Sequence, residues 1–153
     1  MIRHFLNWLV LRLAVRLIRN EEGRTYLLRA RLWGWMPGDD RKAWSGYLHR
    51  FMLPDSDRAL HNHPWRWSFS LVLAGGYEEE RLDKTGKVIT RRVRPGMLNF
   101  LGRNSFHRVT ELHGKETWSL FIAGPKFSSW GFLDPDKGFV NHHDWFAMKG
   151  IEE

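Results

Sequence analysis

Closely spaced turn signals divide most of this chain into short segments, and they limit the folds open to it more than any other feature does. Gly, Pro, Asn and Asp favour turns through backbone freedom, a fixed φ angle or local side-chain hydrogen bonds. The signals are Pro37-Gly38, Pro54-Asp55, Gly75-Gly76, Lys84-Thr85-Gly86, Pro95-Gly96, His113-Gly114, Gly124-Pro125 and Asp134-Pro135. Such punctuation is typical of a series of short strands.

The segments between the turns alternate between apolar and polar residues, which is the pattern of strands. We predict strands near Tyr26 to Leu32, Tyr47 to Leu53, Trp67 to Leu73, Tyr77 to Leu82, Val88 to Val93, Leu98 to Leu101, His107 to Leu112 and Thr117 to Ala123. So many short strands favour a closed barrel or jelly roll, because a sheet that folds on itself protects its edges. The predicted fold class is therefore mainly β.

A single β-barrel domain is predicted over residues 23–153. The length of 153 residues fits one domain, and nine Trp, ten Phe and three Tyr supply bulky side chains for its interior. No repeat or linker divides the chain. The stretch from Pro125 to Glu153 is predicted to be irregular and to be anchored on the barrel by Trp130, Phe132 and Trp145.

Residues 1–22 are predicted to form an amphipathic helix that packs on the domain. Arg12, Arg16 and Arg19 form a polar stripe, and apolar residues recur at spacings of three and four: Ile2, Phe5, Leu6, Leu9, Val10, Leu13, Leu17 and Ile18. The arginines interrupt the apolar run that a membrane helix needs, and no small-residue cleavage site follows. Contact with a membrane surface is the less favoured alternative to packing or an oligomer contact.

Charge and composition exclude several classes of function. The formal net charge is +7, but the basic residues are scattered and match no nucleic-acid module, so we expect no specific nucleic-acid partner. The chain has no Cys, which excludes disulfides and thiolate ligands, and a cytoplasmic location is the default expectation. We find no P-loop, no GxSxG elbow and no HExxH motif.

Three histidines are the candidate chemical centre. His61 and His63 lie two residues apart in HNHPW, and residues at this spacing in a strand point to the same face. His107 closes the segment RPGMLNFLGRNSFHRV, whose turns and short apolar strand could return a third imidazole to the same cavity. Imidazoles are ligands that Fe, Zn, Ni and Cu accept. The sequence thus predicts a metal site at His61, His63 and His107.

These two segments resemble the two motifs of the cupin superfamily, G(X)5HXH(X)3-4E(X)6G and G(X)5PXG(X)2H(X)3N. His61 and His63 match the first motif together with Gly75, and Gly96 and His107 match the second. The resemblance covers roughly residues 47–123. It implies a double-stranded β-helix, that is, a jelly-roll barrel, with the metal bound by these histidines. Because cupins commonly pair through their sheets, it also implies a homodimer.

The chain departs from the cupin motifs at several positions. Asp55 replaces the opening Gly, Gly102 replaces Pro, Asn104 replaces Gly and Glu111 replaces the closing Asn. The most consequential departure is Ser68, which stands where the metal-binding Glu is expected. The site then resembles the three-histidine version in thiol dioxygenases. That resemblance implies Fe(II), with Zn and Ni as alternatives, and three positions open for substrate and oxygen.

Other residues are candidates for the surroundings of this site. Glu78 and Glu80 share one strand face, and Glu78 is a candidate ligand or general base, with a solvated strand edge as the alternative. The candidate substrate-binding residues, each with core packing or a plain surface charge as the alternative, are Trp65, Trp67, Trp118, Arg50 and Arg66. His142 and His143 form a less favoured second metal cluster, because adjacent residues of a strand point apart.

Three functions remain open. The first is a mononuclear metal-dependent oxygenase that acts on a small polar or anionic molecule. The second is an isomerase or epimerase of the sugar-nucleotide kind, in which His61 and Tyr77 or Tyr47 exchange protons with the substrate. The third is a noncatalytic module that binds a small ligand in the barrel.

Overall fold

The computed structural model describes residues 1–20, 22–34, 44–55 and 59–151. The predicted Pro37-Gly38 turn lies outside these residues. In chain order the elements are α1 (Ile2–Val10), β1 (Ala14–Arg19), β2 (Thr25–Trp33), β3 (Ser45–Phe51), β4 (Trp67–Ala74), β5 (Tyr77–Leu82), β6 (Val88–Val93), β7 (Leu98–Gly102), β8 (His107–Leu112), β9 (Thr117–Ala123), β10 (Gly131–Asp134), β11 (Gly138–Asn141) and α2 (His142–Lys149). All eight predicted strands are present, and the mainly β fold class is confirmed.

Two antiparallel sheets enclose the interior. The larger has the order β1-β2-β3-β9-β4-β7, and the smaller has the order β6-β5-β8. Strands β10 and β11 form a hairpin, and single bridges from His61 to His107 in β8 and to Phe132 in β10 connect that hairpin to the smaller sheet. A cavity between the sheets is lined by residues from both of them.

Alternation along β4 shows how the sequence builds this interior. Ser68, Ser70 and Val72 are buried, whereas the residues between them are only partly buried. Side chains two apart on a strand share a face, so these three point inward together. Val72 packs with Tyr77, Val93 and Val109 in an apolar cluster. Beside this cluster the inner face becomes polar, and there the cavity lies.

The N-terminal helix packs on the domain, as predicted, but its predicted length is wrong. Leu6 and Val10 of α1 join a core cluster with Leu48 and Trp118. The helix ends at Val10, and Ala14–Arg19 form β1, which pairs with β2. The residues of this segment fit both the 3.6-residue period of a helix and the two-residue period of a strand. Pairing with the edge of β2 satisfies their backbone hydrogen-bonding groups. Neither helix in the described ranges has the length and apolar content needed to cross a bilayer.

The segment after Pro125 is regular rather than irregular, so this prediction is wrong. The β10–β11 hairpin turns at Gly138, whose φ of 73° suits glycine. Helix α2 begins with the Asn141 side chain accepting a hydrogen bond from the His143 backbone, and it ends at Gly150 in the left-handed region. Phe132 and Trp145 are buried and stacked on each other, which makes them the anchors that the sequence predicted.

Candidate metal centre

Backbone pairing fixes the His61 segment opposite β8. The backbone N–H of His61 donates to the carbonyl of His107, and the N–H of His107 donates back, both at 3.0 Å. On the other side, Asn62 donates its N–H to Gly131 at 3.1 Å, and its side chain accepts from the Gly131 N–H at 2.9 Å. The segment is therefore held between β8 and β10, although it is not a regular strand.

The three predicted histidines come together at this place. One ring nitrogen of each lies within 4.8 Å of those of the other two. The Nε2 atoms of His63 and His107 are 2.9 Å apart. Two nitrogens bound at about 2.1 Å and at right angles on one ion would be about 3.0 Å apart. A metal ion at this position would replace the proton that the His63–His107 hydrogen bond requires.

The charge state of the site suits a metal ion. Burial holds the pKa of His63 well below its usual value, and the neighbouring His107, His61, Arg29 and His49 lower this pKa further. A neutral imidazole has the lone pair that a metal needs. Within the described residues the histidine group includes no carboxylate, and the hydroxyl of buried Ser68 has no hydrogen-bond partner. The residues present therefore fit a metal ion held by three imidazole ligands.

Glu79 orients His107. It is completely buried, and its Oε1 lies 2.7 Å from Nδ1 of His107. A carboxylate at this distance holds the proton on Nδ1, so that Nε2 faces the centre, and it raises the basicity of the ligand. Asn99 of β7 donates to the same oxygen at 2.9 Å and to the Tyr77 hydroxyl at 3.1 Å. This network joins the two sheets behind the metal site.

The buried Glu79 carboxylate is compensated by its surroundings. Burial pushes its pKa upward, but hydrogen bonds from His107 and Asn99, with the charges of His107 and Arg81, bring the pKa below its usual value. Arg91 lies 3.9 Å from the second carboxylate oxygen. Glu79 is therefore ionised and accepts the His107 proton as a charged partner.

We expect Glu79→Gln to lower the affinity for Zn²⁺ about 10- to 100-fold, the usual effect of removing a carboxylate behind a histidine ligand. Glu78→Gln is the matched control, because it removes an adjacent carboxylate on the outer face of the same strand. Competition with a chromogenic chelator measures both affinities. Equal affinities for the two variants would contradict the orienting role of Glu79.

The catalytic candidates Glu78 and Tyr77 lie on opposite faces of β5. Glu78 is directed outward, where it pairs with Arg92 at 3.1 Å, and this corrects the prediction that it enters the barrel. Glu80 is also outward and pairs with Arg108. Tyr77 is buried against the cavity, and burial together with the Glu79 charge raises the pKa of its hydroxyl to about 12. Tyr77 is therefore a neutral hydrogen-bonding group.

The five substrate-binding candidates are divided between the outer face of the larger sheet and the segments around it. On that outer face, Trp67 stacks on Phe69. Trp118 packs under α1 on the outer face, and Arg50 lies beside it, paired with Glu116 at 2.6 Å. Arg66 is exposed beside the Phe127 ring. These four positions are away from the cavity, which corrects their predicted role. Trp65 is buried and stacked on His63, and it lines the cleft outside the site.

The less favoured second cluster, at His142 and His143, is not a metal group among the described residues. His142 stacks on Trp130 at 4.6 Å, and its Nδ1 contacts the Trp130 carbonyl. Over the described residues, only His61, His63 and His107 form a group that could hold a metal ion. His142 lines the outer cleft without joining that group.

Besides Glu79 and Asn99, three polar residues near the site were not predicted as site residues. Arg29 and His49 line the inner cavity, where Nε of Arg29 donates to Nε2 of His49 at 3.0 Å. Burial, and then the Arg29 charge, hold the pKa of His49 well below its usual value, so His49 is neutral. Asp55 is buried, accepts from the Val109 backbone and lies 3.8 Å from His61 Nε2. The available signal for Arg29 was its position, with Arg31, in a strand whose other residues are mostly apolar.

The site opens into a cleft large enough for a small molecule. The cleft has a volume of about 710 Å³ and meets the inner cavity at Tyr26, Arg29, His61 and His63. This volume falls within the usual range of ligand pockets, about 300 to 1,000 Å³. Among the described residues, the charged and histidine side chains along its wall are Arg16, Arg19, Arg29, Lys126, His61, His63 and His142.

Solved structures with similar folds include an Fe(II) enzyme, an oxidase and an epoxidase. Fe(II) HppE in complex with substrate matches with a TM-score of 0.56 and 14% identity over 74% of this chain. An oxalate oxidase matches with a TM-score of 0.55 and 17% identity, covering 87% of this chain and 70% of its own. Hydroxypropylphosphonic acid epoxidase from S. wedmorenis matches with a TM-score of 0.50 and 15% identity over 72% of this chain.

These similarities show the fold. The chain spans 57% of the HppE chain and 55% of the S. wedmorenis epoxidase chain. No family model matches the sequence, and no similar curated protein was found. The neighbours have the cupin fold, and this confirms the fold that the histidine motifs implied.

Proposed function

We propose that this cupin-fold protein is a mononuclear metal-dependent oxygenase that acts on a small polar or anionic molecule. The observation that carries the proposal is the group of three histidines at the inner end of an open cleft. His61, His63 and His107 would hold the ion, and Glu79 would orient His107 from behind. The side of the histidine group that faces the cleft would be accessible to other ligands of the ion.

Fe(II) is the metal that we propose, with Zn and Ni as alternatives. Three imidazoles would hold the ion and, as neutral ligands, would leave its positive charge uncompensated, which suits a metal that activates oxygen. When bound, such an ion would supply the oxygen chemistry that the side chains lack. In a dioxygenase reaction both atoms of O₂ enter the product, and no external reductant is needed.

The chain's own residues prepare the site for a small ligand. Trp65 stacks on His63, and Phe121 lies 5.3 Å from Trp65 and 4.7 Å from His49, so aromatic rings line the path to the histidines. These rings exclude water from one side of the site. The neutral Tyr77 hydroxyl of the smaller sheet and the Asn99 amide of the larger sheet form a polar part of the cavity wall.

Oxygen uptake by anaerobically Fe(II)-loaded protein tests the proposal. The probes are glycolate, 3-mercaptopropionate, oxalate and hydroxypropylphosphonic acid, which together offer hydroxyl, thiol, carboxylate and phosphonate groups. Uptake that depends on iron and on one probe, with one O₂ consumed per product, is the expected result. Full iron loading without uptake for any small acid or thiol would move the assignment to the isomerase or to the noncatalytic binding module.

A further inference from the structure

A row of polar side chains crosses the inner face of the larger sheet beside the three histidines. Arg16 of β1 is paired directly with Arg29 of β2, Arg29 with His49 of β3, and His49 with Ser119 of β9. Directly paired residues of antiparallel strands project to the same face. The row therefore extends from the cleft, which Arg16 lines, to the inner cavity, which Ser119 lines.

Arg29 is the charged centre of this row. It is partly buried where cleft and cavity meet, and in the described part of the chain it forms no ion pair with a carboxylate. Its neighbour in the pairing is a second arginine, and like charges placed directly opposite are unfavourable. The nearby carboxylates are otherwise engaged, Asp55 by the Val109 backbone and Glu79 by His107.

The contacts of Arg29 leave its terminal nitrogens for a ligand. Among the described residues, only its Nε has a hydrogen-bond partner, which is the ring of the neutral His49. His49 in turn stacks on Phe121 with ring centroids 4.7 Å apart, so it holds the guanidinium without neutralising its charge. The rings of Tyr47 and Trp65 lie 5.2 Å and 5.8 Å from the guanidinium carbon. These rings restrict movement of the guanidinium group. Two parallel N–H donors of a guanidinium match the oxygens of an oxyanion.

Ser119 gives independent support for a ligand. Its side chain is 1% exposed, and its hydroxyl has no hydrogen-bond partner among the described residues. A buried polar group without a partner is unfavourable and points to an absent ligand or water. Ser119 lines the cavity next to His49 in the row, within the same polar wall as Arg29.

We propose that Arg29 binds an oxyanion group of the substrate, a carboxylate or a phosphonate, and that His49 is the residue that positions it. This inference rests on the proposed function in placing the rest of the substrate at the histidines. Arg16 attracts the anion at the mouth of the cleft. The substrate class is thus a small organic acid whose acidic group lies beside the metal site.

Isothermal titration calorimetry with three matched probes tests whether Arg29 binds an oxyanion. Glycolate carries a carboxylate, hydroxymethylphosphonate carries a tetrahedral oxyanion, and ethylene glycol is their neutral counterpart. Each is titrated into Zn²⁺-loaded and into metal-free wild type, Arg29→Gln, Arg29→Lys and Arg94→Gln. Arg94 is exposed and controls for the loss of one positive charge. Circular dichroism and metal content are recorded for every variant.

We expect Arg29→Gln to weaken binding of the preferred acid about 10- to 100-fold, the loss typical of a charge-assisted hydrogen-bonded pair. Arg29→Lys restores part of the affinity, because it keeps the charge without the fork, and Arg94→Gln changes nothing. Ethylene glycol binding and Zn²⁺ content stay at wild-type levels in Arg29→Gln. Whichever acid binds more tightly to wild type identifies the group as carboxylate or phosphonate.

Two results would overturn the assignment of Arg29. One is equal affinity of wild type and Arg29→Gln for both acids, and the other is wild type that binds neither acid better than ethylene glycol. Failure of the proposed function is a different result, namely wild type that takes up no metal. In that case the titrations of metal-free protein still decide whether Arg29 binds the oxyanion.

Discussion

Protein with His107→Ala is expected to bind Zn²⁺ or Fe(II) more than about 100-fold less tightly than wild type. Loss of a residue behind a ligand already costs about 10- to 100-fold, and this change removes the ligand itself. It also leaves the Glu79 carboxylate without its closest partner, so the free energy of unfolding falls. Metal content after purification without chelator or His tag, measured by mass spectrometry, checks the result.

The control for this experiment is His143→Ala, because His143 is exposed on α2 and outside the histidine group. It is expected to keep the wild-type metal content. His61→Ala should reproduce the loss seen with His107→Ala, since the two residues face each other across one backbone bridge. Near-stoichiometric metal in both ligand variants would show that the ion binds elsewhere and would remove the basis of the proposed function.

Trp118→Ala is expected to lower the free energy of unfolding by about 3 to 5 kcal/mol, as the truncation of large buried aromatic residues does. The Trp118 side chain is fully buried among Leu6, Val10 and Leu48, and its Nε1 donates to Glu116 at 2.9 Å. Its loss leaves a cavity between α1 and the larger sheet. Urea unfolding followed by circular dichroism measures the change.

The Trp44→Ala variant is the matched control, because Trp44 is 60% exposed. We expect its free energy of unfolding to fall by less than about 1 kcal/mol, as is usual for surface substitutions. Metal content should remain at the wild-type level in folded Trp118→Ala protein, since the residue lies on the outer face of the sheet. If the Trp118→Ala protein had wild-type stability but bound acids poorly, the result would instead support the predicted role of Trp118 in substrate binding.

Strand positions could be predicted from this sequence, whereas the direction of some side chains could not. The bounds of β5 were predicted as Tyr77 to Leu82, but three consecutive glutamates follow Tyr77. By composition alone, either Glu79 or its two neighbours in the sequence could face inward. The structure places the face of Tyr77 inward, so Glu79 enters the barrel and Glu78 does not.

Trp118 shows a second reason why sequence patterns are insufficient here. Both faces of β9 are covered, one by α1 and one by the cavity, so alternation does not distinguish inside from outside. The cavity face carries Thr117 and Ser119, which a simple pattern would assign to solvent. A strand that lines a polar site reverses the usual relation between polarity and exposure, and this concealed the row around Arg29.

The histidines were predictable because their motif spacing survives changes in the surrounding residues. Asp55 and Ser68 depart from the cupin pattern, yet the structure accommodates both. Asp55 accepts a hydrogen bond from the Val109 backbone beside His61. The carboxylate that orients His107 comes from Glu79, at a position that neither motif includes.

Because of the backbone bridge between His61 and His107, the metal site depends on strand register. The two residues are matched by a reciprocal pair of hydrogen bonds rather than by side-chain contacts alone. A shift of that pairing by one residue would turn one imidazole to the opposite face while every ligand remained in the sequence. Insertions and deletions near Leu60 or Phe106 are therefore expected to reduce metal binding even when all three histidines are retained. The presence of the three histidines in a sequence does not by itself show that a variant keeps the ion.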